Sequence, residues 1–98
     1  MILRKVQKVA KVSETIRRVW PTLNIVATRS ISTIARILTR MSVLLGERHS
    51  ASDIWNAARV AVEEYIRVNP QFVTQVFGPG MAKRNAIDFF AKLFELLI

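Results

Sequence analysis

Apolar side chains recur along the first half of the chain at alternating steps of four and three residues. In the first segment these steps fall on Ile2, Val6, Val9, Ser13, Ile16 and Trp20. In the second segment they fall on Ala27, Ile31, Ile34, Leu38, Met41 and Leu45. Because steps of three and four return to one face of an α-helix, the pattern predicts two amphipathic helices.

Four groups of turn-favouring residues divide the chain: Trp20-Pro21-Thr22, residues 46–52, Asn69-Pro70 and Gly78-Pro79-Gly80. Proline disrupts a helix interior, and glycine favours turns. The breaks predict a third helix capped by Ser50 or Ser52. Its apolar face holds Ile54, Ala58, Ala61, Tyr65 and Val68, widened by Trp55, Val62 and Ile66.

A short fourth helix is predicted over residues 70–77, with Asn69 as its cap and Pro70 at its first position. A fifth helix is predicted from about Met81 to Ile98, with Asp88 and Lys92 as an exposed ion pair. No segment reads as a strand. We therefore expect one all-α domain over residues 1–98, a small bundle of four to five helices.

The chain ends in FFAKLFELLI, a helix that is apolar on most sides. Such a helix must be buried within its own domain or against another copy, and 98 residues form only a small core. The sequence therefore favours a homo-oligomer that completes the bundle. The predicted oligomer interface is Phe89, Phe90, Leu93, Phe94 and Leu97.

The net charge of +8 is unevenly distributed. Residues 1–46 hold nine basic residues and one acidic residue, whereas residues 47–98 hold six of each. The basic residues of the first half form two ridges with interleaved hydroxyls. They are Arg4, Lys8, Lys11, Thr15 and Arg18 in the first helix, and Arg29, Thr33, Arg36 and Arg40 in the second.

Such ridges match a phosphate backbone, because Lys and Arg form charge-assisted hydrogen bonds with phosphate oxygens. Asn and Gln, which read adenine edges, are rare in these helices, so binding is expected to be mainly independent of sequence. The predicted nucleic-acid-binding residues are Arg4, Lys5, Lys8, Lys11, Arg17, Arg18, Arg29, Arg36, Arg40 and Arg48. This favours a DNA- or RNA-binding protein of the nucleoid, nucleocapsid or genome-packaging type.

The same basic half fits a second interpretation. Basic amphipathic helices bind anionic membrane surfaces, and a segment rich in Arg and Ser and poor in acids resembles an organelle transit peptide. The alternative is therefore an accessory subunit that docks on a membrane surface or an acidic partner, or one targeted to an organelle such as the mitochondrion. The nucleic-acid-binding interpretation instead predicts an intracellular protein that is associated with a nucleoid or a virion.

Catalysis and cofactor binding find no support in the sequence. Cysteine is absent and His49 is the only histidine, which leaves no thiolate or histidine cluster for a metal. Glu63 and Glu64 are adjacent and point about 100° apart on a helix, so they do not form a carboxylate pair. We expect a non-enzymatic protein without a cofactor or small-molecule substrate. Trp20 and Trp55 are interpreted as core residues rather than base-stacking platforms.

Residues 46–64, GERHSASDIWNAARVAVEE, resemble the first loop and the start of the central helix in histone-fold proteins. The resemblance implies that Arg48 would approach a DNA minor groove. Residues 16–25, IRRVWPTLNI, separately resemble a proline-containing turn of an H2B-like histone. The two segments do not fit one regular histone fold, and Pro70 would interrupt the central helix too early, so the chain is not assigned to that family.

Overall fold

The computed structural model describes the backbone of residues 9–21 and 28–98, and the side chains of residues 10–21 and 30–98. This part of the chain forms five helices and no strand. They are α1 (Val9–Val19), α2 (Thr28–Leu45), α3 (Ala51–Val68), α4 (Phe72–Phe77) and α5 (Lys83–Leu97). The all-α prediction is confirmed. None of the described helices combines the length and apolar character needed to span a membrane.

Helix α5 is the centre of the core. It packs against α3 and also contacts α1 and α2. The short helix α4 adds Phe77, whose ring lies 4.9 Å from that of Phe89 between centroids. The ring of Phe72 lies 6.2 Å from that of Phe90. Aromatic pairs at these separations stabilise the fold beyond the area that they bury.

All five side chains predicted as an oligomer interface are buried within this single chain, with exposures of 6% or less: Phe89, Phe90, Leu93, Phe94 and Leu97. In this arrangement they have no surface left for a second copy. The apolar pattern of α5 shows that the helix must be enclosed, but helices of the same chain enclose it as well as a partner would. Self-association stays a prediction, with no surface assigned to it.

The predicted core face of α2 is buried wherever the structure describes its side chains, whereas that of α1 is buried only in part. On the predicted face of α1, Ile16 is buried but Ser13 and Trp20 are half-buried, and Val12, which the prediction left out, is fully buried. Ile2, Val6 and the side chain of Val9 lie outside the described residues. In α2 the buried positions of the predicted stripe are Ile31, Ile34, Leu38, Met41 and Leu45. The predicted face of α3 fails only at its end, where Val68 is 85% exposed because no other described element covers the last turn.

The start of α3 follows the predicted cap. The Ser50 hydroxyl accepts a hydrogen bond from the Asp53 amide at 3.1 Å and donates one to an Asp53 carboxylate oxygen at 2.8 Å. This satisfies one of the amides that a helix start leaves unpaired. Gly46, with φ of 59°, follows the end of α2 in the left-handed conformation that glycine adopts at least cost.

The predicted start of α4 is wrong. Asn69 is the C-cap of α3, with its amide bonded to the Tyr65 carbonyl at 2.8 Å. Helix α4 begins at Phe72 with Gln71 as its N-cap. The Asn69 side chain instead accepts a bond from the Gln71 amide at 3.3 Å, so its capping chemistry stabilises the turn around Pro70 rather than the helix.

Candidate nucleic-acid interface

The structure separates the ten predicted binding residues into three groups. Arg4, Lys5 and Lys8 lie outside the described residues, as does the side chain of Arg29. A second group has intramolecular partners: Lys11, Arg40 and Arg48. The third group is exposed and forms no ion pair or side-chain hydrogen bond with the described part of the chain: Arg17, Arg18 and Arg36.

Arg17 and Arg18 occupy the last turn of α1, where both are exposed. The nearest acid in the sequence, Glu14, instead lies 3.9 Å from Lys11 one turn earlier. Cations at a helix C-terminus interact favourably with the helix dipole, which accounts for their position without a carboxylate partner. The two guanidinium groups donate no hydrogen bond to the described residues, so within that part of the chain their donors face solvent or a bound anion.

The hydroxyl predicted within the α1 ridge does not face solvent. Thr15 is 1% exposed, and its hydroxyl donates to the Lys11 carbonyl at 2.9 Å. Its methyl group suits the core, and the bond to the preceding turn satisfies its only strong donor. The ridge of α1 therefore lacks Thr15 as a phosphate donor, and the prediction of an interleaved hydroxyl there is wrong.

Arg40 of α2 is held by Glu64 of α3. Its Nε donates to Glu64 Oε1 at 2.9 Å and its Nη2 donates to Oε2 at 3.1 Å, a bidentate pair. The hydrogen bond from Arg40, followed by the charges of Arg40 and Arg67, holds the pKa of Glu64 below its usual value. The same pairing raises the pKa of Arg40. An anion can bind Arg40 only in competition with this carboxylate.

A shallow groove lies along the contact between α2 and α3, with a volume of about 180 Å³. Arg36 and Arg40 line it together with Glu64. The remaining lining is largely apolar: Ile37, Ala61, Tyr65 and Val68. The groove thus brings together two of the predicted arginines, one without an acidic partner and one already neutralised.

Arg48 stabilises the end of α2. Its Nη2 donates to the Leu44 carbonyl at 2.6 Å and its Nε donates to the Leu45 carbonyl at 3.2 Å. The last carbonyls of a helix have no partners inside the helix, so these two bonds satisfy groups that would otherwise need water. The arginine has a structural role independent of any nucleic acid.

The neutral second half contains a carboxylate that bridges two cations, an arrangement that sequence reasoning missed. Glu63 accepts from Arg59 at 3.2 Å and from Lys83 at 3.1 Å. The hydrogen bond from Lys83 is the largest cause that lowers the pKa of Glu63, and the charges of both cations add to it. Only the Arg59 pair is visible in the sequence, as an i,i+4 spacing, because Lys83 comes from another helix.

Both tryptophans are half-buried and pack against the core, but only the Trp55 indole forms a hydrogen bond with the described residues. Trp55 packs against the core, and its indole Nε1 donates to Asp88 Oδ1 at 2.8 Å. The predicted ion pair between Asp88 and Lys92 does not form, because the carboxylate turns to the indole. Trp20 is half-buried, with its ring centroid 4.7 Å from that of Phe89.

An open cleft of about 310 Å³ lies beside Trp20. The described residues that line it come from the end of α1, the turn before α5 and one face of α5: Trp20, Met81, Asn85, Asp88, Phe89 and Lys92. Sequence reasoning missed this cleft. Its only signal was the spacing of Asn85, Asp88 and Lys92, which places them on one face of a helix.

No group of acidic or histidine side chains that could hold a metal ion occurs in the described residues. No protein-family model, curated protein or solved structure matches the chain.

Proposed function

We propose that this chain is a non-enzymatic nucleic-acid-binding protein that contacts phosphates through basic side chains of its N-terminal half, without reading base sequence through the grooves of a duplex. The proposal extends to a nucleoid, nucleocapsid or genome-packaging role. The observation that carries it is the pair Arg17 and Arg18, two adjacent exposed guanidinium groups without a carboxylate partner among the described residues.

Three described cations of the N-terminal half are available to phosphates. Carboxylates hold Arg40, Arg59 and Lys83 in ion pairs, while Arg17, Arg18 and Arg36 form none with the described residues, as is also the case for Arg67, Arg84 and Lys92 of the second half. Exposed arginines bind phosphate in bidentate geometry and release condensed counterions when they do so. The net charge of +8 attracts any polyanion at long range.

The deciding experiment measures affinity against salt concentration by fluorescence anisotropy on a random-sequence duplex. Each phosphate contact contributes about 0.9 to the slope of log K against log salt. Contacts from Arg17, Arg18 and Arg36 alone give a slope of about 2.7, and further contacts from other basic residues make it steeper. No binding at low salt would overturn the proposal.

A parallel titration with phosphatidylserine-containing and pure phosphatidylcholine vesicles tests the alternative of a membrane-docking subunit. The nucleic-acid proposal predicts tighter binding to the duplex than to the anionic vesicle at equal charge concentration. Binding to the anionic vesicle without binding to the duplex would establish the alternative instead, because a membrane-surface helix needs both charge and an apolar phase.

A further inference from the structure

The cleft beside Trp20 combines an aromatic wall with a polar rim. Trp20 and Phe89 supply the aromatic wall, and Asn85, Asp88 and Lys92 supply the rim. The indole Nε1 of Trp20 has no hydrogen-bond partner in the described part of the chain. The volume of about 310 Å³ is at the small end of the range of ligand pockets, roughly 300 to 1,000 Å³, so the cleft suits one small planar group.

The carboxylate of Asp88 disfavours a phosphate inside the cleft, whereas Lys92 on the same rim can bind a phosphate at its edge. One carboxylate oxygen of Asp88, Oδ1, accepts the hydrogen bond from the Trp55 indole, and the other oxygen has no hydrogen bond with the described residues. A carboxylate repels a phosphate but accepts hydrogen bonds from amino groups, as Asp and Glu do from cytosine N4. Trp55 holds this carboxylate in place, so its free oxygen is a preset acceptor.

The cationic end of α1 lies next to the cleft. The Trp20 amide bonds to the Ile16 carbonyl at 2.8 Å, which continues the helical geometry of α1 to Trp20. Arg17 and Trp20 are therefore i and i+3 neighbours, with their side chains on the same helix face, about 5–6 Å apart at Cβ. A phosphate bound at Arg17 would therefore lie within the length of one nucleotide from the aromatic wall.

We propose that this cleft binds one unpaired base of a single-stranded nucleic acid. The base stacks on Trp20, its amino group donates to the free oxygen of Asp88, and the flanking phosphates bind Arg17, Arg18 and Lys92. The inference rests on the proposed function and deepens it by naming single strands as the preferred ligand. A duplex keeps its bases stacked and paired, so it cannot fill the cleft without opening.

The first experiment uses the full chain and three 12-nucleotide probes with equal numbers of phosphates: oligo-dC, oligo-dT and an abasic strand. Anisotropy at one salt concentration gives the three dissociation constants. Loss of a single base–aromatic stack weakens single-strand binding by about tenfold, so oligo-dC should bind about tenfold tighter than the abasic strand. Oligo-dC should also bind more tightly than oligo-dT, since cytosine presents the amino group that Asp88 accepts.

The variant W20L removes the stacking surface while keeping an apolar side chain against Phe89. It should reduce the tenfold difference between oligo-dC and the abasic strand to less than about twofold, with affinity for the abasic strand unchanged. The matched control is Y65L, which removes the half-buried aromatic ring of the arginine-lined groove between α2 and α3. Y65L should keep the full difference between the two strands.

The variant D88N tests the base edge. The asparagine carbonyl still accepts from Trp55, but its amide group donates where the carboxylate accepted. The preference should therefore move from oligo-dC towards oligo-dT, whose bases present acceptors. Circular dichroism verifies that each variant is folded, and if W20L does not fold, the wild-type probes and D88N still decide the question.

The possible failures of the two proposals are distinguishable. Equal wild-type affinity for oligo-dC and the abasic strand would overturn the base site while leaving phosphate binding intact. A persistent difference in folded W20L would also overturn the site, because the base would then bind elsewhere. Absence of binding to all three strands at low salt would overturn this inference, and absence of binding to the duplex as well would overturn the proposed function with it.

Discussion

Arginines lie both at the end of α1 and at the contact between α2 and α3, but only those at the second place include one that is paired with a carboxylate. At the end of α1, Arg17 and Arg18 are exposed and have no carboxylate partner in the described part of the chain. Between α2 and α3, Arg40 is held in a bidentate pair by Glu64. The number of basic residues in a segment therefore does not give the number of cations open to a ligand.

The difference follows from where the acidic residues lie in the sequence. The only acidic residue among residues 1–46 is Glu14, and its carboxylate pairs weakly with Lys11. Helix α3 supplies two glutamates from the second half of the chain. One pairs with Arg40 of α2, and the other pairs with Lys83 of α5. Arg36, one turn from Arg40, lines the same groove and has no carboxylate partner among the described residues.

The largest expected effect is that of removing the open pair, in the double variant R17Q/R18Q. Two lost phosphate contacts lower the salt slope by about 1.8 and the duplex affinity on the order of 50-fold near 0.1 M salt. The matched control R59Q/K83Q removes the same formal charge from cations that Glu63 already holds. An equal loss of slope in the control would show that net charge alone drives binding, and it would contradict the distinction between paired and unpaired cations.

A smaller effect is expected for R36Q/R40Q, which removes the same formal charge from the α2–α3 groove. Only Arg36 is open, so the slope should fall by about 0.9 and the affinity by about eightfold near 0.1 M salt. Anisotropy titrations of R36Q/R40Q and R17Q/R18Q under identical conditions give the ratio of their losses in duplex affinity. A loss as large as that of R17Q/R18Q would mean that phosphate displaces Glu64 from Arg40. Unchanged affinity would remove this groove from the interface.

The smallest effect concerns the pH dependence of stability. Because the folded state lowers the pKa of Glu64, its pair with Arg40 stabilises the fold above the ordinary glutamate value of 4.5. That contribution is lost as the pH falls through the lowered pKa. Thermal unfolding of E64Q should show a slightly lower midpoint than wild type at pH 7, and the difference should vanish in strong acid.

The control for this measurement is E95Q, which changes an exposed glutamate of α5 without an ion pair among the described residues. Its midpoint should match that of wild type at pH 7. The effect of E64Q is expected to be small because both members of the pair are partly exposed, and surface pairs are screened by solvent. A midpoint of E64Q equal to that of E95Q at pH 7 would show that the pair contributes no stability.

Local patterns predicted most of the helices and one of the caps. The stripe from Ile31 to Leu45 is buried because a three-four repeat faces one side of any α-helix. The Ser50 cap formed as expected because its partner, Asp53, lies only three residues away. The cap predicted at Asn69 went to the turn instead, since the same side chain can stabilise a turn as well as a helix start.

Contacts between distant residues were not predicted. The pair of Arg40 with Glu64 spans 24 residues and the bond of Trp55 with Asp88 spans 33. Both depend on how α2, α3 and α5 are rotated against one another, which side-chain packing sets and no local spacing records. For the same reason the cleft beside Trp20 was invisible in the sequence.

The sequence by itself determined that this protein is helical, that its net positive charge comes from the first 46 residues, and that α5 must be enclosed. These properties follow from helical periodicity, composition and the cost of exposing apolar surface. The tertiary structure decided that α5 is enclosed by its own chain and which arginines stay open. Burial and pairing depend on which faces meet, and the faces meet only when the helices pack.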